Sequence, residues 1–126
     1  MNVPENLRYT KDHEWLKTDG ESAYIGITDF AQHELGDIVF IEVETVGEIL
    51  EKQESFGTIE AVKTVSDMFM PVGGEILEFN EDLTTKPEII NQDPYEKGWV
   101  VKIKINNPDE VAELLDPEQY RKLIQG

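Results

Sequence analysis

Cysteine is absent from the 126 residues, so no disulfide framework, thiolate metal site or cysteine nucleophile is available. The only histidines are His13 and His33, and without thiolates beside them they are too few for a zinc site, so no resident metal is expected. His13-Glu14 resembles the start of a zinc-protease helix, but Lys17 stands where the second histidine ligand is needed. A nucleophile elbow, a phosphate-binding loop and a dinucleotide fingerprint are all missing. A chain this poor in catalytic groups is expected to be no enzyme, and to present chemistry rather than perform it.

Positive charge is also scarce: 11 basic residues stand against 27 acidic ones, a formal charge of −16. Phosphate backbones and anionic membrane surfaces repel such a chain, so neither nucleic acid nor membrane is an expected partner. Basic patches on other proteins can attract it, at a rate that falls with salt; acidity that only maintains solubility accounts for the charge equally well. The apolar runs, such as Ile38-Val39-Phe40-Ile41, are far too short to span a bilayer. Met1-Asn2-Val3-Pro4-Glu5-Asn6 has neither a basic start with an apolar stretch nor an Arg/Ser-rich presequence. The product is therefore expected to stay where it is made, in the cytoplasm.

The chain does contain enough dispersed apolar residues, 39%, for one modest core, and residues 1–126 are expected to form one domain. Trp99-Val100-Val101-Lys102-Ile103-Lys104-Ile105 alternates, placing Trp99, Val101, Ile103 and Ile105 on one face of a half-buried strand. Tyr24 to Ile27, Ile38 to Val43, Phe56 to Val62, Val65 to Met70 and Glu75 to Phe79 read as further short strands between turn residues. Many short strands at this spacing predict a mainly β fold, a small barrel or sandwich. Short peripheral helices are expected in three places. One begins at Asp29, with Gln32 completing a capping box and Gly36 closing it. A second follows Asn107-Pro108 and carries Val111, Leu114 and Leu115. The third starts at Asp116-Pro117 with a docking stripe of Tyr120, Leu123 and Ile124. Gly47-Glu48-Ile49-Leu50-Glu51 recurs as Gly74-Glu75-Ile76-Leu77-Glu78, a match short enough to arise by chance.

Between Gly57 and Gly74 two strand-like runs flank Lys63, with neither Gly nor Pro near it. As a hairpin, the segment puts Lys63 at or beside the turn, where a modifying enzyme would find a flexible ammonium on a rigid support. An ordinary solvated lysine fits too, and spacing alone favours it, since the chain has nine lysines.

Glu60-Ala61-Val62-Lys63-Thr64-Val65-Ser66-Asp67, followed by Pro71-Val72-Gly73-Gly74-Glu75-Ile76, resembles the lipoyl-lysine segment of glycine cleavage H-proteins. The similarity spans nearly the whole chain. His13-Glu14-Trp15, Ile25 to Gln32, Leu35 to Phe40, and Asn91, Asp93-Pro94-Tyr95 and Gly98-Trp99 resemble other family segments in family order. Biotin carriers place Met on both sides of the modified lysine, whereas Val62 and Thr64 stand here; the Asp-Lys-Ala of acyltransferase lipoyl domains is also absent. Ala61 and Gly73 stand where Ser is common, and Glu34 where many members have His before Leu-Gly, with His33 one position earlier.

The resemblance implies a barrel-sandwich hybrid of the lipoyl-domain type with short peripheral and C-terminal helices. It also implies lipoic acid in amide linkage on Lys63, put there by a lipoate-attaching enzyme. A pyridoxal-phosphate glycine decarboxylase would transfer an aminomethyl group to one sulfur, a folate-dependent aminomethyltransferase would remove the carbon, and dihydrolipoyl dehydrogenase would reoxidise the dithiol. Glu14 and Asp67 match positions lining a cleft for the loaded arm, and Asp12 stands where Ser is often found. A carboxylate there favours the protonated amine, which has no lone pair to expel the thiolate. A solvated acidic surface is the competing account of these three residues, and weighs most for Asp12. Trp15, Tyr95 and Trp99 are expected in the core, and His13 and His33 in ordinary polar contacts. Two other functions stay open: a lipoyl relay that supplies lipoate to other enzymes, and an unmodified interaction module that keeps the fold.

Overall fold

The computed structural model describes residues 1–125. Among the described residues nine strands form two antiparallel sheets: β1 (Arg8–Tyr9), β2 (Glu14–Asp19), β3 (Ser22–Ile27), β4 (Ile38–Glu42), β5 (Ile49–Leu50), β6 (Ser55–Ala61), β7 (Val65–Phe69), β8 (Gly74–Phe79) and β9 (Val101–Ile105). The larger sheet runs β1-β2-β3-β9-β8-β5 and the smaller β4-β6-β7. The inward residues of alternating strands meet between them, Ile25, Ile76 and Ile103 from one sheet and Phe56, Ile59 and Met68 from the other, all essentially inaccessible to water. The expected mainly β architecture is the one observed. The two copies of the Gly-Glu-Ile-Leu-Glu motif pair with each other, Ile49 opposite Glu75 and Leu50 opposite Gly74.

The boundaries differ from the sequence reading where tertiary contacts intervene. The last strand starts at Val101, not Trp99, and Val100 is as buried as Val101. The Val100 N–H donates to Ile25 O and its carbonyl accepts from Asn80 N, while Trp99 packs edge-on against Tyr24. Strands β1, β2 and β5 carry no alternation readable without their partners.

Helix α1 (Asp29–Leu35) is capped one residue earlier than expected: Thr28 Oγ1 accepts from Ala31 N, while Asp29 instead accepts from Asn2 N and the Gln32 side chain. Gly36 closes the helix as expected, with its N–H on Gln32 O. Two single-turn helices, α2 (Asp82–Thr85) and α3 (Ile89–Gln92), were not readable in the sequence. A 3-10 turn (Pro108–Glu113) precedes α4 (Pro117–Gln125), which starts where expected, on a reciprocal box: Gln119 N donates to Asp116 Oδ1, and Asp116 N to Gln119 Oε1. Of the α4 stripe, Tyr120 is fully buried and Ile124 partly so, but Leu123 is exposed. The docking face is thus narrower than expected.

Candidate functional site

Lys63 lies at the tip of the β6–β7 hairpin. Ala61 N donates to Thr64 O at 2.8 Å, leaving Val62 and Lys63 as the two connecting residues, and Val62 N donates to Asp37 O, tying the tip to the segment after α1. The Lys63 side chain is exposed and makes no ion pair or side-chain hydrogen bond among the described residues. Its stem runs over Gly36: a Cβ at Gly36 would lie 3.6 Å from Lys63 Cε. Gly36 itself has φ 81° and ψ −154°, a conformation open essentially to glycine alone. Gly36→Ala is therefore expected to lower stability by about 1–3 kcal/mol through backbone strain, not collision with the lysine. Urea denaturation should show an earlier midpoint at unchanged slope; an unchanged midpoint would mean that the helix end relaxes freely.

A cleft of about 270 Å³ opens between α1, the start of β2 and the free edge of β7. Ile27, Phe30, Ala31, Leu35, Ile59 and Met68 give it apolar walls, and Asp12, Glu14, Glu34 and Asp67 line it with carboxylates. The structure thus brings Asp12, Glu14 and Asp67 together on one cavity, but in unlike settings. Glu14 is buried, with 2% exposure, whereas Asp12 and Asp67 are exposed. Asp67 Oδ1 accepts a hydrogen bond from Ser55 Oγ at 3.2 Å. Asp67 lies four positions after Lys63, about 13 Å along a strand.

Glu14 is surrounded by donors. Its Oε1 accepts from Thr10 Oγ1 at 2.6 Å and its Oε2 from the Phe69 N–H at 3.1 Å, so it joins the larger sheet to the edge of the smaller one. Thr10 Oγ1 in turn accepts from the N–H groups of Asp12 and Glu14. No Lys, Arg or His pairs with the carboxylate among the described residues. Burial pushes its pKa up to about 7, against the lowering effect of the two hydrogen bonds and with a further raising contribution from Asp12.

The sign of the consequence is fixed. The folded protein holds the Glu14 proton more tightly than an unfolded chain, whose carboxyl titrates near 4.5, so stability is lost as pH rises from about 4.5 to about 7. Glu14→Gln is expected to gain on the parent by on the order of 3 kcal/mol between about pH 5 and pH 8, read by denaturation at both. A gap constant across that interval would show that Glu14 does not titrate there.

A second cluster sets the walls. Tyr120 of α4 stacks on Tyr9 at 4.6 Å, and its hydroxyl meets Thr28 Oγ1 at 2.7 Å and His13 Nδ1 at 2.9 Å. One phenol thereby ties the cap of α1 to the turn that delivers Glu14. His13 holds φ 67° in that turn and its pKa is lowered, first by burial. Trp15 and Tyr95 are buried, the indole N–H of Trp15 on Pro94 O, and Trp99 is half-buried. His33 is exposed and does not line the cleft, whereas Glu34 does. The sequence reading left out Glu34 and the apolar walls. Phe30-Ala31 and Glu34-Leu35 are four residues apart on a helix already expected, a spacing that puts them on one face.

Comparison with known proteins agrees with this architecture. The family model for the glycine cleavage H-protein matches residues 7–126. The glycine cleavage system H protein of Bacteroides thetaiotaomicron is 54% identical over 126 residues, covering all of both chains. That of Pelodictyon phaeoclathratiforme is 60% identical over 125 residues and 98% of each. The crystal structure of a glycine cleavage system H protein from Mycobacterium marinum superposes with a TM-score of 0.89 at 35% identity, covering 98% of this chain and 100% of the other. The chain therefore belongs to the glycine cleavage H-protein family, whose members are lipoyl carriers and not enzymes.

Proposed function

We propose that Lys63 carries lipoic acid in amide linkage, and that the cleft lined by Asp12, Glu14 and Asp67 receives the arm when it bears the aminomethyl group of glycine. The observation that carries this reading is a buried carboxylate without a cationic partner, Glu14, at the floor of an apolar cleft about 13 Å of strand from an exposed lysine at a hairpin tip. Isolated buried carboxylates are costly, so a cation is the ligand this floor favours.

When attached, lipoate supplies a cyclic disulfide that can take up the aminomethyl group and pass on electrons. The chain's own contribution is positional and electrostatic. The Ala61–Thr64 and Val62–Asp37 hydrogen bonds fix the hairpin tip that bears the modified side chain, and Gly36 gives its stem a flat floor. Phe30, Leu35, Ile59 and Met68 exclude water from the far end. Glu14 holds a proton on the amine by favouring its charged form, while Asp67 and Asp12 add a weaker, solvent-screened field at the rim.

The partners of this reading are the pyridoxal-phosphate glycine decarboxylase, the folate-dependent aminomethyltransferase, dihydrolipoyl dehydrogenase and the lipoate-attaching enzyme. A net charge of −16 favours basic docking faces on them. The setting is the cytoplasm; no described helix is long and apolar enough to cross a membrane.

The test is intact-mass analysis of protein from its native cell with the adduct mapped by peptide, alongside glycine exchange with the decarboxylase. A lipoyl adduct at position 63 with exchange activity is expected. An adduct elsewhere, or none, overturns the reading. Lipoyl transfer to an acyltransferase domain without glycine exchange would make the chain a relay instead.

A further inference from the structure

The smaller sheet ends at β7, and one side of that strand has no neighbour. Which groups it leaves open follows from the register. Ala61 and Thr64 form a hydrogen-bonded pair, since Ala61 N donates to Thr64 O. Bonded and non-bonded pairs alternate along an antiparallel ladder. Glu60–Val65 is then a non-bonded pair, Ile59–Ser66 bonded, and Thr58–Asp67 non-bonded. Val65 and Asp67 therefore turn their N–H and C=O away from β6, towards the free edge. Phe69 faces the same way and its N–H is taken by Glu14 Oε2. No described residue accepts from the N–H of Val65 or of Asp67.

This open edge is one wall of the cleft, facing α1. The Lys63 stem enters from the opposite wall, over Gly36 at the end of α1. Val65 is two residues from Lys63, about 7 Å of strand, a distance that an extended lysine side chain also covers. An amide at the end of that side chain is therefore within reach of the Val65 main chain when the side chain lies along β7, and its hydrocarbon continuation then runs towards Asp67 and the cleft floor.

We propose that the β7 edge is a docking track for the modified side chain, in which the Val65 N–H donates a hydrogen bond to the carbonyl oxygen of the amide on Lys63. This rests on the assignment of Lys63 as the attachment point and adds to it a positioning residue. The contact has the form of strand addition, main chain to an extended ligand, reduced to one bond because a trans amide presents only one of its two polar groups to a given edge. It orients the arm along β7, so that the reactive end is delivered to Glu14 instead of sweeping the solvent. The Asp67 N–H gains no such partner, because the arm beyond its amide is hydrocarbon and sulfur.

Amide hydrogen exchange by NMR on the whole chain reads this directly in three forms: unmodified, lipoylated and oxidised, and lipoylated and loaded with the decarboxylase and glycine. Exchange at Val65 should slow at least tenfold in the loaded form relative to the unmodified one, and by more than at Asp67. Phe69, already bonded to Glu14, should be equally protected in all three. Val65→Pro removes the donor on the side away from the ladder and should lower the docked fraction, read from Phe30 and Met68 resonances, about fivefold, the factor for one ordinary hydrogen bond. Val65→Ala should leave that fraction unchanged. If Phe30 and Met68 shift on loading while Val65 exchange does not change, the arm docks without this bond and the track is refuted, though the cleft assignment survives. If Phe30 and Met68 do not shift either, the cleft assignment falls with it.

Discussion

Lys63→Arg should abolish lipoylation and glycine turnover together while leaving the melting temperature where it was. The two halves of this expectation have separate causes. Lys63 is exposed on a two-residue connection and makes no ion pair or side-chain hydrogen bond among the described residues. Replacing it therefore changes stability by no more than about 0.5 kcal/mol. The guanidinium keeps the positive charge and the approximate length, so docking driven by charge survives. It loses the nucleophile: an ammonium can shed a proton and attack an activated acyl group, whereas arginine stays protonated at any working pH. Intact mass should show no adduct in a host that modifies the parent fully, and glycine exchange should fall to background. Retained turnover would remove Lys63 from the mechanism.

The second large effect belongs to Glu14. Glu14→Gln should shorten the lifetime of the aminomethyl adduct by about 10- to 100-fold, the factor for a charge-assisted contact of about 1.5–3 kcal/mol made out of water. The amide keeps one acceptor oxygen, enough for either Thr10 or Phe69, so the sheets stay joined with one bond fewer. Asp67→Asn should cost no more than about fivefold, because Asp67 is exposed and its field is screened. Salt separates the two further: the Asp67 effect should vanish at high ionic strength and the Glu14 effect persist. The measurement is the first-order decay of the adduct, followed by mass. Equal effects for the two carboxylates would mean that burial does not set their contributions.

Those unequal effects were not readable in the chain, where Glu14 and Asp67 stand as two acids among 27. The resemblance implies the same cleft role for both, and local pattern does not say which is dry. Glu14 is buried because the β7 edge closes over it through the Phe69 N–H. That contact spans 55 residues of chain, beyond any local pattern. Glu34 lines the cleft because it follows Phe30 by four residues on α1, a spacing that the sequence shows but that marks a cleft only once α1 is packed.

The sequence by itself determined the local features. Alternation located the last strand and apolar runs between turn residues most of the others, while Asp116-Pro117 and Gly36 marked helix ends. The hairpin pattern put Lys63 at a turn, because periodicity and capping depend on residues within a few positions of one another. Only the tertiary structure decided what those elements enclose. Pairing with the distant β8 created β5, and the bonds of Val100 to Ile25 and Asn80 moved the start of the last strand to Val101. The Tyr120 hydroxyl joined the two walls of the cleft. The outer strand of a three-stranded sheet left the Val65 edge open beside the lysine. Burial and an unpaired edge are properties of how segments meet, and a linear pattern carries neither.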